Sequence, residues 1–369
     1  YAERIDRYAD TSKAFISLDL AAARNKAESA ERNLDSGLAL NGIPYSCKDL
    51  FDVAGQVTTA GSKVLQDNTA DSDADAIRHM NQAGAICIGK NNLHEFAYGA
   101  TGENVLYGTA ANPYDHSRLA GGSSSGSAAA VGFGLCAAAL GTDTGGSVRA
   151  PAALCGLVGF KPTFGRVSTA GVIPYSWTLD HVGTLTRSAQ DAATLLKALL
   201  PTAQDIPQVA LRGQVIGIPD SFFFERCDHE ILDSIEHLMS FLRTQGAVLK
   251  PIRMPSMEHT RTVSLTVQMP EALSFHNRYL EERGHLYSQD FRAGLALGQC
   301  LLAEQYIRAK RFIETYRRDM DAIFTGVDAI LTPATPAIAP AIGAVEISVD
   351  GIAEPVGNAI TRYTSFFNM

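Results

Sequence analysis

The stretch "AGGSSSGSAAAVGFG", residues 120–134, sets the tightest limit on how this chain can fold. It carries almost no side-chain bulk, and "GTDTGGSVRAPA" soon adds another serine just after two glycines. Glycine and serine together usually make flexible linkers. Here they flank alanine-rich apolar segments that read as buried, so hydroxyls and bare backbone belong inside the core.

Around these loops the pattern alternates between helix and strand. "ISLDLAAARNKAESAERNLDSG" reads as a helix from about Leu18, ended near Gly37. "GIPYSCKDLFDVAG" reads as a short buried strand and a turn. "DADAIRHMNQAGAICIGK" gives a helix stopped at Gly84 and a strand from Ala85 to Lys90. The rhythm returns around Ala128–Leu140, and "ALCGLVGFKPT" adds another short apolar segment. This alternation predicts an α/β layer with strands buried on both faces.

After "LLPTAQDIPQ" the register restarts. "QVIGIPD", "DHEILDSIEHLMSFLRTQG" and "AVLKPI" read as a strand–helix–strand unit with a parallel crossover. Residues from about Glu271 to Phe324 read as helical. "VDAILTPATPAIAPAIG" reads as a buried strand running into a proline-rich loop. The sequence shows no internal repeat.

Bulk properties exclude several functions. A net charge of -8 and a pI near 5.6 argue against general binding of nucleic acid or anionic membranes. No apolar run reaches the length of a membrane span. The six cysteines form no CxxC pair and read as reduced, buried thiols of a cytoplasmic protein. The chain starts at Tyr1, which leaves room for a removed signal peptide, and its apolar ending "TRYTSFFNM" reads as an interruption within a domain.

The serine loops can be tested against familiar motifs. A Walker A loop needs Lys after its last Gly, but Ser127 follows Gly126; "GFGLCA" fails the dinucleotide fingerprint at its third glycine. "GSSSG" matches a nucleophile elbow with Ser124 as nucleophile, yet "NPYDHSRLAG" before it has no strand character. The second loop fits better. "LCAAAL" reads as a buried strand leading into "GTDTGGS", and "VRAPAALCG" can start a helix. Ser147 then sits beside glycines whose backbone N–H groups are free to face a bound oxygen.

A base is needed as well. His181 is the nearest histidine and reads as a hydrogen-bonded structural residue. Of the lysines (13, 26, 48, 63, 90, 161, 197, 250 and 310), most lie in contexts that would solvate them. Lys48 differs, because it ends the apolar run "GIPYSC". Buried there, its ammonium would be desolvated and its pKa would fall from about 10.4. The competing reading, a surface lysine paired with Asp49, carries equal weight on sequence alone.

"GGSSSGSAAAVGFGLCAAALGTDTGGSVRAPAALCGLVGFKPTFGRVS" resembles the amidase signature enzymes, and "GIPYSCKD" resembles their lysine segment. The likeness runs from about Ile43 to Arg187 and more loosely through "AILTPATPAIAP" to the end. It implies an α/β amidase signature fold, a mixed β-sheet core covered by helices on both faces. A single domain over 1–369 is expected, with a family-like core at about 43–200 and a variable part at about 208–330.

The resemblance also implies a Ser–cis-Ser–Lys relay: Ser147 as nucleophile, Ser123 as bridge after a cis Gly122–Ser123 peptide, and Lys48 as base. Spacing agrees with the family at both intervals. Backbone N–H groups around Thr144, Gly145, Gly146 and Ser147 would hold the oxyanion, and the backbone near Ala97 and Tyr98 would line the pocket. Asp143 and Arg149 would brace the nucleophile loop, a surface ion pair being the alternative. Ser124 and Ser127 would bond Lys48 or the loop backbone. Ser125 stands where many relatives have glycine.

The implied reaction is hydrolysis of an amide C–N bond, with no cofactor and no metal. The glutamine-handling chain of glutamyl-tRNA(Gln) amidotransferase typically carries an Asp-Gly-x-Arg-Tyr-Gly run where this chain reads "EALSFHNRYLEERG". That favours a free-standing hydrolase of a small amide, with an amidotransferase-like protein or a hydrolase of urea-type compounds as alternatives. An esterase using Ser124 and a histidine is a distant fourth. No membrane partner is expected, nor nucleic acid outside an amidotransferase complex; a homodimer stays open.

Overall fold

The computed structural model describes residues 1–33, 37–200, 209–255 and 257–369. Six strands form the main sheet: β1 (Phe15–Leu18), β2 (Pro44–Lys48), β3 (Ile86–Asn91), β4 (Ala138–Asp143), β5 (Val158–Phe160) and β6 (His181–Thr186). Their order is β1-β3-β2-β4-β6-β5. The central β3-β2-β4 pairs are parallel, and β1, β6 and β5 are added antiparallel, so the sheet is mixed.

Helices cover both faces, and β4 shows why its run of apolar residues is continuous. Ala139 packs on one face with Ile86, Ile88 and Leu185, against Ala128–Val131 and Ile5. Ala138 and Leu140 turn to the other face with Cys47, Cys87 and Val182. That face is closed by Ile77 and Met80 on one helix and by Leu195 and Leu199 on another. Side chains alternate along a strand, so a strand covered twice must be apolar throughout.

Ile5 belongs to α1 (Ala2–Ser12), which is followed by α2 (Leu20–Glu31); α3 (Asp75–Gln82) carries Ile77 and Met80. Then come α4 (Ser125–Gly132), α5 (Arg149–Leu154) and α6 (Ala189–Leu199). Helix α4 answers the question posed by residues 120–134. It is buried from Ser125 to Val131, with no polar face. A Cβ on Gly126 would stand 2.6 Å from the Asn92 carbonyl oxygen, and one on Gly122 would stand 2.5 Å from the Gly102 nitrogen. Only glycine allows backbones so close.

The variable part builds a second, parallel sheet in the order β8-β7-β9. It comprises β7 (Val215–Pro219), α7 (His229–Thr244), β8 (Val248–Ile252) and β9 (Ala329–Ile330), with the expected parallel crossover. Between β8 and β9 lie α8 (Thr260–Arg283), α9 (Gln289–Gln299) and α10 (Ala303–Phe324). A hairpin of β10 (Glu346–Val349) and β11 (Ile352–Pro355) precedes α11 (Val356–Thr361).

Four local expectations need correction. Leu18 ends a strand instead of starting a helix: β1 pairs with β3 along the sheet edge, and Asp19 caps α2 by accepting from the Ala22 N–H. The helical stretch begins at Thr260, not near Glu271, because Val263 and Val267 bury against Ile313 and Tyr316 and carry the helix through Pro270. The "buried" strand at Ala329–Ile330 is only two residues long and partly exposed. Cys300 is exposed, whereas the other five cysteines are buried. The expected helix end near Gly37 and the break at 199–208 fall partly outside the described residues.

Candidate active site

Lys48 ends β2 and its side chain is completely buried. Its Nζ donates to Ser123 Oγ at 2.7 Å and to Thr142 Oγ1 at 2.8 Å. No carboxylate among the described residues touches it. Burial lowers its pKa from 10.5 to about 7, against the pull of the more distant Asp180 and Asp143. The alternative pairing with Asp49 does not occur. Asp49 instead pairs with Lys90 Nζ at 2.7 Å, both side chains fully buried. Lys90 is therefore not a solvated lysine, contrary to the expectation from its sequence context.

Ser123 precedes α4, and the Gly122–Ser123 peptide is cis. The loop is sewn to the one after β4 by the Ser124 N–H, which donates to the Ser147 carbonyl at 3.2 Å. Ser147 keeps 7% exposure and lines a cavity of about 270 Å³ together with Thr144, Gly145, Ala97 and Tyr98. Among the described residues, none takes a hydrogen bond from the Ser147 hydroxyl.

The loop carrying Ser147 is braced from below. Asp143 is fully buried and accepts from the backbone N–H groups of Gly146 (2.9 Å), Val148 (3.1 Å) and Arg149 (3.3 Å). Arg149 grips it through Nε at 3.0 Å and Nη2 at 2.8 Å. Burial alone would push this carboxyl up. The Arg149 guanidinium and the Asn368 amide override that and hold it well below the usual carboxylate range. The surface ion pair is thus replaced by a buried, bidentate one.

Two expected roles change. The Gly146 N–H is spent on Asp143 and does not face the cavity as an oxyanion donor. The N–H groups of Thr144, Gly145 and Ser147 have no acceptor among the described residues. Ser124 and Ser127 do not reach Lys48. Ser124 Oγ donates to the Thr142 carbonyl at 3.2 Å and Ser127 Oγ to the Leu140 carbonyl at 3.0 Å, so both tie α4 to β4.

The elbow reading fails with them, because Ser124 is buried and no strand leads into it. His181 is structural. Its Nδ1–H donates to the Leu179 carbonyl at 2.7 Å, and burial lowers its pKa to about 4.

Sequence reasoning missed several neighbours. Thr142, the second partner of Lys48, lies inside the quoted "GTDTGGS", but only strand pairing turns it toward β2. Asp180 accepts from Thr144 Oγ1 at 2.5 Å and from the N–H groups of Tyr175 and Ser176, and burial raises its pKa to about 6. Asn368 donates to the Asp143 carbonyl and carboxylate from 225 residues away in sequence. No local pattern marks such contacts. A stripe of α8, including Arg261 and Gln268, forms a further wall of the Ser147 cavity.

A larger cavity, about 1000 Å³, opens beyond the Asp143–Arg149 brace, between Lys161, Tyr316 and Met369. It touches none of Lys48, Ser123 and Ser147. Among the described residues no group of His, Cys, Asp and Glu side chains is arranged to hold a metal ion. Nor is any described helix long and apolar enough to cross a membrane.

Comparison with known proteins agrees with this architecture. A solved amidase superposes with a TM-score of 0.93 at 36% identity, covering 100% of this chain and 84% of that one. A structure of a vestigial protein complex that reveals the evolutionary origins of an s-triazine catabolic enzyme gives a TM-score of 0.92 at 31% identity, covering 100% and 83%. A glutamyl-tRNA(Gln) amidotransferase chain of Nitrosococcus oceani is 39% identical over 295 residues. That match spans 76% of this chain and 61% of the relative's length. The family model Amidase matches residues 1–366, and the chain belongs to the amidase family.

Proposed function

We propose that the protein hydrolyses the C–N bond of a small carboxylic amide through an acyl-Ser147 intermediate. The observation that carries this reading is the Lys48 amine, buried, touching only hydroxyls and held near pKa 7. Such an amine is largely uncharged at mildly alkaline pH and can accept a proton. As Ser147 Oγ attacks the carbonyl carbon, its proton passes to Ser123 Oγ, and the Ser123 proton passes to Lys48 Nζ. The N–H groups of Thr144, Gly145 and Ser147 receive the developing oxyanion; losing one such donor typically costs about 10²–10³ in rate.

The relay then runs backwards. Lys48 returns a proton to Ser123, and Ser123 gives its own to the leaving nitrogen as the C–N bond breaks. Water, deprotonated along the same path, attacks the ester and frees the acid and Ser147. Asp143 and Arg149 hold the loop that aims the donors.

The test is mass spectrometry of the protein quenched with an activated amide. An acyl adduct on Ser147 is expected, and Ser147→Ala should lose adduct and turnover together, by about 10⁴-fold or more in kcat. Turnover surviving that change would end the proposal. A second reading, the glutamine-hydrolysing part of an amidotransferase, is favoured by the kinship with the Nitrosococcus oceani protein. It predicts that glutamine is hydrolysed efficiently only when a partner protein is added.

A further inference from the structure

The face of α8 that borders the Ser147 cavity presents Arg261, Ser264, Leu265, Gln268 and Met269. These positions recur at three- and four-residue steps, so they form one stripe along the helix. At its inner end Gln268 is buried, with Nε2 donating to Ser264 Oγ at 2.6 Å. The same nitrogen stands 3.8 Å from where a Cβ on Gly145 would be, next to the loop of the nucleophile.

At the outer end, the Arg261 guanidinium donates to Asn358 Oδ1 and, at 3.5 Å, to Thr361 Oγ1, both on α11. Those bonds fix it against α11, and the residue both lines the cavity and is exposed to solvent.

Charge makes this residue unusual. Among the described residues lining the cavity, Arg261 alone carries a formal charge, and no carboxylate pairs with it. The chain as a whole carries -8. An unneutralised cation over an otherwise neutral cavity favours an anionic visitor and steers its approach. The helix also acts as a ruler. Seven residues at 1.5 Å rise separate Arg261 from Gln268 by about 10 Å along the axis, and the long arginine side chain can shorten that span. A cavity of about 270 Å³ leaves room for a short acyl chain between them.

We infer that the substrate is an amide whose acyl group ends in its own carboxylate, the mono-amide of a short dicarboxylic acid, and that Arg261 reads that charge. The inference rests on amide hydrolysis at Ser147, and its test separates the two. Succinamate and glutaramate are compared with the neutral succinamide and glutaramide, using the full chain, Arg261→Gln and Arg261→Lys. The wild type should prefer the anionic member of each pair. In Arg261→Gln that preference, read as the ratio of kcat/KM values, should fall about ten- to hundredfold, mainly through KM. Arg261→Lys should restore part of it.

Equal turnover of charged and neutral amides by the wild type, or a preference unchanged in Arg261→Gln, would overturn the inference and leave hydrolysis standing. If neither amide is turned over, binding decides. Thermal shifts of Ser147→Ala protein should appear at lower succinamate than succinamide concentration, and should lose that difference when Arg261→Gln is added. Equal shifts would refute the charge-reading role.

Discussion

Two lysines sit one register step apart at the ends of neighbouring parallel strands, Lys48 on β2 and Lys90 on β3, and both are fully buried. Their surroundings differ in one respect. Lys90 meets the Asp49 carboxylate at 2.7 Å, with Thr58 Oγ1 and the Val57 carbonyl as further acceptors. Lys48 meets two hydroxyls and, among the described residues, no carboxylate. A buried ammonium is tolerated when a charge compensates it; with hydroxyls alone, the neutral amine is the easier species to bury. The same residue type, equally buried, is thus ion-paired in one place and hydrogen-bonded only to hydroxyls in the other, where we propose that it accepts a proton. The partner decides.

Replacing each lysine by methionine should separate the two roles most sharply. Lys48→Met should fold and lose about 10²–10⁴ in kcat, measured with a neutral amide. Lys90→Met should instead lose about 3–5 kcal/mol of stability in urea unfolding, because Asp49 is left buried and unpaired. Removing that carboxylate as well, in Lys90→Met/Asp49→Asn, should recover part of the loss. If Lys48→Met proved the less stable protein and Lys90→Met the less active, the contrast would be wrong.

The pH dependence is the next test. With Lys48 near 7, kcat/KM for a neutral amide should rise through about pH 7 and level off above it, and this limb should be missing in Lys48→Met. Stability carries a second mark of the same shift, in the same direction but over a higher pH range. The unfolded chain holds the Lys48 proton up to about 10.5, the folded chain only to about 7, so the folded state binds fewer protons between those values. Relative to Lys48→Met, the wild type should therefore lose stability as pH falls from 10.5 toward 7 and lose no more below.

The smallest effect belongs to Thr142→Val. It removes one acceptor from Lys48 and should cost about 0.5–1.5 kcal/mol of stability. The kinetic pKa should move slightly lower, since a hydrogen bond that favoured the ammonium is gone. A move upward would mean that Thr142 stabilises the neutral amine.

Much of this site was legible in residues 43–187. The glycine and serine loops had to be buried and closely packed, and Gly122 and Gly126 are where backbones meet. Lys48 stood out because it closes an apolar run. Its alternative, pairing with Asp49, could not be dismissed from the sequence, since either lysine near that carboxylate would satisfy it. Strand pairing settles the matter by setting Lys90, not Lys48, against Asp49. The start of α8 escaped for a similar reason: tertiary burial of Val263 and Val267 outweighs the proline at position 270.

What the sequence determined alone is the set of local necessities: apolar strands, loops without side-chain bulk, and the hydroxyls and amine within them. These follow from backbone sterics and from side-chain periods of two and 3.6, which act over a few residues. Tertiary structure alone decided the partners, with Thr142 turned to Lys48, Gly146 committed to Asp143, Asn368 brought to the Asp143 carboxylate and Arg261 set along the wall of the Ser147 cavity. The charge state of a buried group depends on what lies within a few ångströms of it, and those neighbours come from strands and helices far apart in the chain.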